Sequence, residues 1–182
     1  MIKFENPQTT YVLADPHFFH QNIITKLSTW SSGGQREDDS IDDMNNRLWK
    51  SINDKVSEDS NLIINGDFSF GGPDKIRAAR AGIKCKNIWL IAGNHDGHIL
   101  KKPELQSLFT TVYGSTQYDV SVHFRVGQYD YMISHYASRT WRGQGDKFRH
   151  IFGHSHGHLV GDSYSLSIDA GFDVHKQTLS FE

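Results

Sequence analysis

The sequence is poor in the features that mark several protein classes. Its 182 residues include one cysteine, Cys85, so no internal disulfide can form and a zinc–thiolate cluster is excluded. The expected setting is a reducing compartment, the cytoplasm, with Cys85 as a small residue near the start of a strand. No run approaches the roughly 18 apolar residues of a membrane-spanning helix. The opening Met1-Ile2-Lys3-Phe4-Glu5-Asn6-Pro7 lacks the apolar stretch of a secretion signal. Excess positive charge is missing as well. The net charge of −2 argues against a broad basic surface for nucleic acid, so an anionic substrate has to be held locally. No repeat, linker or compositional break divides the chain. Residues 1–182 read as a single domain, long enough to bury a core without covalent staples.

What is present is a series of short apolar runs. Tyr11-Val12-Leu13-Ala14, residues 61–65 and residues 87–92 each read as a buried strand followed at once by a polar or glycine-bearing motif. Helical stretches separate them. Ile41, Met44, Leu48, Ile52 and Val56 form one apolar stripe, and Ser40 with Asp43 fits a helix start. Pro73 suits a helix's first turn and Gly82 its end. This alternation predicts a parallel sheet with covering helices. The second half is β-rich. It has strands over 116–125 and 129–134 joined by a Gly127-Gln128 turn, then strands over 148–152, 165–170 and 177–181. The expected fold is α/β, with two packed mixed β-sheets flanked by helices in a four-layer α-β-β-α sandwich. Ser31-Ser32-Gly33-Gly34-Gln35 and residues 139–147 read as loops, and Trp30, Trp49 and Trp89 as core or near-core aromatics.

Histidine is abundant, at 11 residues, and many sit in short polar motifs that follow the apolar runs. In an extended segment, residues two apart point the same way, so Asp15 and His17 can grip one ion, as can His154 and His156. Asp67, after Gly66, has two carboxylate oxygens and can bridge two cations. Asn94 offers a carbonyl oxygen. His95, next to it, points elsewhere and is suited to give a proton to an oxygen leaving phosphorus, with Asp96 orienting it. His135 ends the strand over 129–134. Each motif alone also fits an ordinary turn, a cap or a surface histidine; the ordered set reads as a two-metal hydrolytic centre. Two cations about 3.5–4 Å apart clamp attacking and leaving oxygens and acidify a shared water. Mixed imidazole, carboxylate and amide donors suit manganese, the expected ion, and also iron, zinc or nickel, but not calcium.

Asp15-Pro16-His17, Gly66-Asp67, Gly93-Asn94-His95-Asp96, His135 and Gly153-His154-Ser155-His156 together resemble the calcineurin-like metallophosphoesterase superfamily, in order and over most of the chain. The run from Asp15 to Ile24 and the tail from Asp169 to Val174 look like its small bacterial and phage-type branch. The resemblance implies one ion held by Asp15, His17, Asp67 and His156. It implies a second held by Asp67, Asn94, His135 and His154, with Asp67 bridging and His95 as the catalytic histidine. The reaction implied is hydrolysis of phosphate mono- or diesters by a metal-bridging hydroxide. One departure stands out: Phe68-Ser69-Phe70 follows Gly66-Asp67 without the acidic or amide residue many relatives carry there.

His20 and Asn22 are candidates to bind the phosphate, although Asn22 equally fits an N-cap for a helix over 23–27. Arg139 and Arg142 are candidates to hold a phosphate bidentately, with Trp141 stacking on a base and Lys147 nearby; a solvated loop is the plainer reading. His98 and His158 flank ligand motifs. His123, His150 and His175 read as structural. Small soluble, nucleotide-like substrates are expected, with no membrane partner. A nuclease acting on DNA or RNA is the enzymatic alternative, weakened by the lack of a basic track. A non-catalytic metal-binding module is the other, and the intact His95 argues against it. Metals as mere structural staples fit poorly in a chain of this length.

Overall fold

The computed structural model describes residues 1–25, 27, 36–146, 148–159 and 166–181. The expected loop at 31–35, together with Trp30, Lys147 and Ser165, lies outside the described residues. In chain order the strands are β1 (Ile2–Phe4), β2 (Thr10–Ala14), β3 (Asn61–Asn65), β4 (Asn87–Ile91), β5 (Thr111–Tyr113), β6 (Ser121–Val126), β7 (Tyr129–Ser134), β8 (Phe148–Phe152), β9 (Ser167–Asp169) and β10 (Leu179–Ser180). The helices are α1 (Gln21–Ile24), α2 (Ile41–Lys55), α3 (Pro73–Ala81), α4 (Gly97–Lys101), α5 (Pro103–Gln106) and α6 (Phe172–His175).

Two mixed five-stranded sheets form, as expected, and helices flank them. One has the order β10-β2-β3-β4-β5, with β2 to β5 parallel and β10 antiparallel at the edge. The other has the order β1-β6-β7-β8-β9, with only the β6–β7 pair antiparallel. The apolar runs in β2, β3 and β4 are continuous because both faces of that sheet are covered. Leu13, Leu62, Ile64, Ile88 and Leu90 face the helices, packed with Met44, Leu48, Ile52, Ile76 and Phe172. Val12, Ala14, Ile63 and Ile91 face the second sheet and meet Phe124, Val126, Tyr131, Ile133 and Ile151. Among the described residues, the buried apolar side chains of the helices all join the first of these clusters, so the helical cover is densest over the parallel sheet.

Local signals explain most element boundaries. Ser40 caps α2 by accepting the Asp43 N–H at 3.1 Å. The Val126–Tyr129 pair closes a two-residue hairpin turn, and Gly127 takes its left-handed backbone at φ 56°. Two expectations need correction. The strand expected over 116–125 begins only at Ser121, where pairing with β7 starts, and β1 joins on the other side from Phe124. The helix expected over 23–27 is α1, and His20 rather than Asn22 occupies its N-cap position, so Asn22 lies exposed within the first turn. The short strands β1 and β5 carry too few residues to show a pattern. Trp49 and Trp89 are half-buried against the two clusters, and Cys85 is buried.

Candidate metal centre

Parallel strands bring their carboxyl ends to one rim. Asp15 follows β2, Gly66-Asp67 follows β3, Asn94 and His95 follow β4, His135 follows β7 and His154 follows β8. The rim is stitched across both sheets. Asn65 donates its side-chain N–H to the Ser134 carbonyl at 2.9 Å, and the Gly153 N–H reaches the His135 carbonyl at 2.9 Å. The loops after β2 and β3 zip together, with the His17 N–H on the Asp67 carbonyl at 3.0 Å and the Phe18 N–H on the Phe68 carbonyl at 3.1 Å.

Two donor groups result. Asp15, His17 and His156 form one, and Asp67, His135 and His154 the other, each with its donor atoms within 4.8 Å of one another. Asn94 joins the second, its Oδ1 lying 3.1 Å from His135 Nε2. Asp67 links the two. Its Oδ1 accepts the His95 backbone N–H at 2.9 Å, and its Oδ2 lies 3.6 Å from His17 Nε2 and 3.5 Å from His135 Nε2. Asp15, His17, Asp67, His135 and His156 are buried, whereas Asn94, His95 and His154 are exposed at the mouth.

The route to this convergence differs from the extended chain expected for the Asp-x-His and His-x-His pairs. Asp15, His17, Asp67, His154 and His156 all have left-handed backbone, with φ of 55°, 51°, 53°, 63° and 47°. Non-glycine residues rarely adopt this conformation, and it concentrates where a site holds the chain in place. Two glycines make room. Gly66 turns at φ 85°, and a Cβ there would collide with the His135 ring. A Cβ on Gly153 would sit 2.6 Å from Asp15 Oδ2.

The donors fit divalent cations. Asp15 Oδ1 is buried and accepts no hydrogen bond from any described residue, an arrangement that is costly for a carboxylate unless a cation faces it. Burial raises the Asp15 carboxyl well above its usual range, with the Asp67 charge adding to the effect. Burial lowers His17, and neighbouring His156 lowers it further. Burial also opposes charge on His135, yet hydrogen bonding to Asp67 and the charges of Asp67 and Asp15 raise it to about 9. The two carboxylates thus favour positive charge at this point of the cluster, where the donor set calls for a cation. Two outer hydrogen bonds aim the rings. His135 Nδ1–H donates to the Asn65 carbonyl at 3.1 Å, and His156 Nδ1–H donates to Asp173 Oδ2 at 2.8 Å, leaving both Nε2 atoms to face the cluster.

His95 reaches in from the mouth. Its Nε2 is 3.9 Å from Asp67 Oδ2, and its ring lies 5.8 Å from that of His17. Asp96 does not orient that ring, in contrast to the expectation. Its carboxylate accepts the backbone N–H groups of Gly93, Asp67 and Phe68 at 2.8, 2.8 and 2.9 Å, and so pins the two ligand turns together. Burial and the Asp67 charge push the Asp96 carboxyl up to about 7. His20 joins the cluster through its ring, stacked on Phe70 at 3.7 Å, and burial lowers it to about 4. Phe70 in turn lies 4.6 Å from His95, so an aromatic wall occupies the position where the sequence departs from the family pattern.

The remaining candidates stand apart. Asn22, Arg139 and Arg142 are exposed and, among the described residues, form no hydrogen bond or ion pair with the cluster. Trp141, expected as a stacking surface, is half-buried and tied to the second sheet. Its indole N–H donates to the Phe148 carbonyl at 3.1 Å and its ring packs 5.1 Å from His150. His98 and His158 are exposed. His150 is buried between Ser134 Oγ at 3.0 Å and Ser167 Oγ at 2.8 Å, a structural role.

Sequence reading missed the support beneath the ligands. Arg36 is buried; it donates to Asp173 Oδ1 at 2.8 Å and Oδ2 at 3.2 Å, and to the carbonyls of Pro16 at 2.6 Å and Asp15 at 2.9 Å. Burial would raise Asp173, but the Arg36 charge and the His156 hydrogen bond hold its carboxyl far below the usual range. Asp169 accepts the Ser155 hydroxyl at 2.5 Å and the Gly157 N–H at 3.0 Å, which orders the loop that carries His154 and His156. Nothing in the polar segment from Arg36 to Asp39 distinguishes Arg36 from a solvated residue.

A protein of unknown function, AQ665, from Aquifex aeolicus shares the fold at a TM-score of 0.57 and 18% identity, over 94% of each chain. The nuclease MPE of Pseudomonas putida gives a TM-score of 0.43 at 16% identity, over 81% of this chain and 60% of that one. No curated protein sequence matches at a significant level. Residues 9–171 match the model of one family, and by that match the chain belongs to the calcineurin-like phosphoesterases.

Proposed function

We propose that this protein hydrolyses phosphate mono- or diesters of small, nucleotide-like substrates with the help of two divalent cations. The observation that carries the reading is Asp67 Oδ2, held between His17 and His135 and so between the two donor groups. Asp15, His17, Asp67 and His156 would hold one ion, and Asp67, Asn94, His135 and His154 the other, with manganese expected. When bound, such a pair neutralises charge on the phosphate oxygens and brings the pKa of water near neutral.

The residues of the chain do the rest. Outer hydrogen bonds to the Asn65 carbonyl and the Asp173 carboxylate keep the His135 and His156 rings aimed inward. The backbone N–H of His95 engages Asp67 Oδ1 and so keeps Oδ2 turned towards both groups. His95 Nε2, at the exposed mouth, gives a proton to the departing ester oxygen. His20 and Phe70 wall the same side. The net charge of −2 supports small substrates over a polynucleotide, and the lone buried Cys85 supports a reducing, cytoplasmic setting.

Elemental analysis and turnover of p-nitrophenyl phosphate and its bis ester test the reading. Wild type should carry two ions per chain and cleave at least one ester. Asp67→Ala should lose an ion and the activity. His95→Gln should keep both ions while kcat falls about 10²–10⁴-fold. Two ions retained by Asp67→Ala would overturn the bridge, and a protein loaded with two ions that cleaves neither ester would be a metal-binding module instead. Degradation of plasmid DNA faster than either small ester would select the nuclease reading.

A further inference from the structure

The cluster opens at Asn94 and His95, and two clefts meet there. The smaller, about 300 Å³, is lined by Asn94, His95, His98 and Lys101. The larger, about 610 Å³, lies between α4 and the segment 115–119, and Asn94, Lys101, Thr116, Gln117, Tyr118 and Asp119 are among the residues that line it. Gly97 borders both, and a Cβ added there would meet nothing within 4 Å, so the passage between the clefts is open.

We infer that the larger cleft receives the leaving group of the substrate and that this group is a nucleoside. The inference rests on the phosphoesterase reading and specifies which esters that centre takes. A phosphate held at the donor cluster with its ester oxygen beside His95 would direct the attached group into the smaller cleft and, past Asn94 and Gly97, into the larger one. The cleft volume falls in the range of about 300–1,000 Å³ typical of small-molecule sites. Its chemistry suits a base and a sugar. Tyr118 is 73% exposed, a large aromatic face with little packed on it, and a base can stack there. The Gln117 amide and the Thr116 hydroxyl offer donors and acceptors to polar edges. Lys101 is exposed on the wall shared by both clefts, where its ammonium can donate to sugar hydroxyls. The segment 115–119 forms this wall because it does not pair as a strand, which ties the corrected start of β6 to the pocket.

Calorimetric titration of the full-length, manganese-loaded protein tests the assignment with two probes that cannot be hydrolysed. One is methylphosphonate; the other is the analogue of adenosine monophosphate in which CH2 replaces the ester oxygen. The adenosine analogue should bind at least about tenfold more tightly, as one stacking platform provides. Tyr118→Ala should erase most of that preference and Tyr118→Phe should retain it. Equal binding of the two probes by wild type, or a preference that Tyr118→Ala leaves intact, would overturn the pocket while leaving the metal centre standing. If neither probe binds a protein that carries two ions, the phosphoesterase reading falls and the pocket with it.

Discussion

Replacing Arg36 by leucine removes a buried cation whose fork grips Asp173 at 2.8 and 3.2 Å and whose remaining N–H groups reach the carbonyls of Pro16 and Asp15. The carboxylate of Asp173 then stays buried with the His156 Nδ1–H, at 2.8 Å, as its remaining described partner. Removing one member of a buried pair costs about 3–5 kcal/mol, because the charge left behind has lost its water and gained nothing in return. That is a large share of the roughly 5–15 kcal/mol that holds a domain together. For a chain of this length it corresponds to a fall in Tm of about 6–20 °C. A second effect is expected at the metal centre, where loss of an outer partner weakens metal affinity about 10–100-fold. It should be larger for the Asp15, His17 and His156 group than for the Asp67, His135 and His154 group. Thermal unfolding in chelator reads the first quantity and stepwise metal titration the second. The double variant Arg36→Leu/Asp173→Leu separates them: stability should recover in part, since no charge is stranded, while metal affinity should not, since His156 has lost its orienting acceptor. A Tm drop of less than about 2 °C for Arg36→Leu would refute the reasoning, because it would mean that water already compensates Asp173.

Two further outcomes are expected. Gly153→Ala would drive a Cβ to 2.6 Å from Asp15 Oδ2 and 2.7 Å from Ala14 Cβ, so it should cost about 1–3 kcal/mol in chelator and reduce metal content; an unchanged Tm would show slack at these strand ends. Burial holds His150 down at about 4, against 6.5 in the unfolded chain. The unfolded state therefore takes up its proton first as pH falls, and stability is lost between about pH 6.5 and pH 4 and is unaffected by this group above that window. His150→Gln should flatten this part of the stability profile measured by denaturant midpoints in chelator, and an identical slope in the variant would rule the histidine out as its source.

Much of the fold was legible because it depends on short-range pattern. The apolar runs of β2, β3 and β4, the stripe and Ser40 cap of α2 and the Gly127-Gln128 turn each carry their own signal. Every residue in the two donor groups follows a readable strand end. The misses share a cause. Arg36 and Asp173 lie 137 residues apart, and nothing local announces that they meet. Asp96 was read beside its neighbour in sequence, His95, but folding aims it at backbone N–H groups of the loop after β3. Trp141, read in a solvated loop with stacking on a base as the alternative, packs on His150 of β8, a contact that no local pattern announces.

The sequence by itself determined which donors exist, that they sit where strands stop, and that Asp67 has oxygens to share. Only the tertiary structure decided that Asp67 Oδ2 faces both groups, that His135 and His156 are aimed by Asn65 and Asp173, and that a cleft runs past Asn94 to Tyr118. The division is physical. Propensity and periodicity act over a few residues, while the meeting of two sheet edges and the left-handed turns at Asp15, His17, Asp67, His154 and His156 are imposed by contacts between distant parts of the chain.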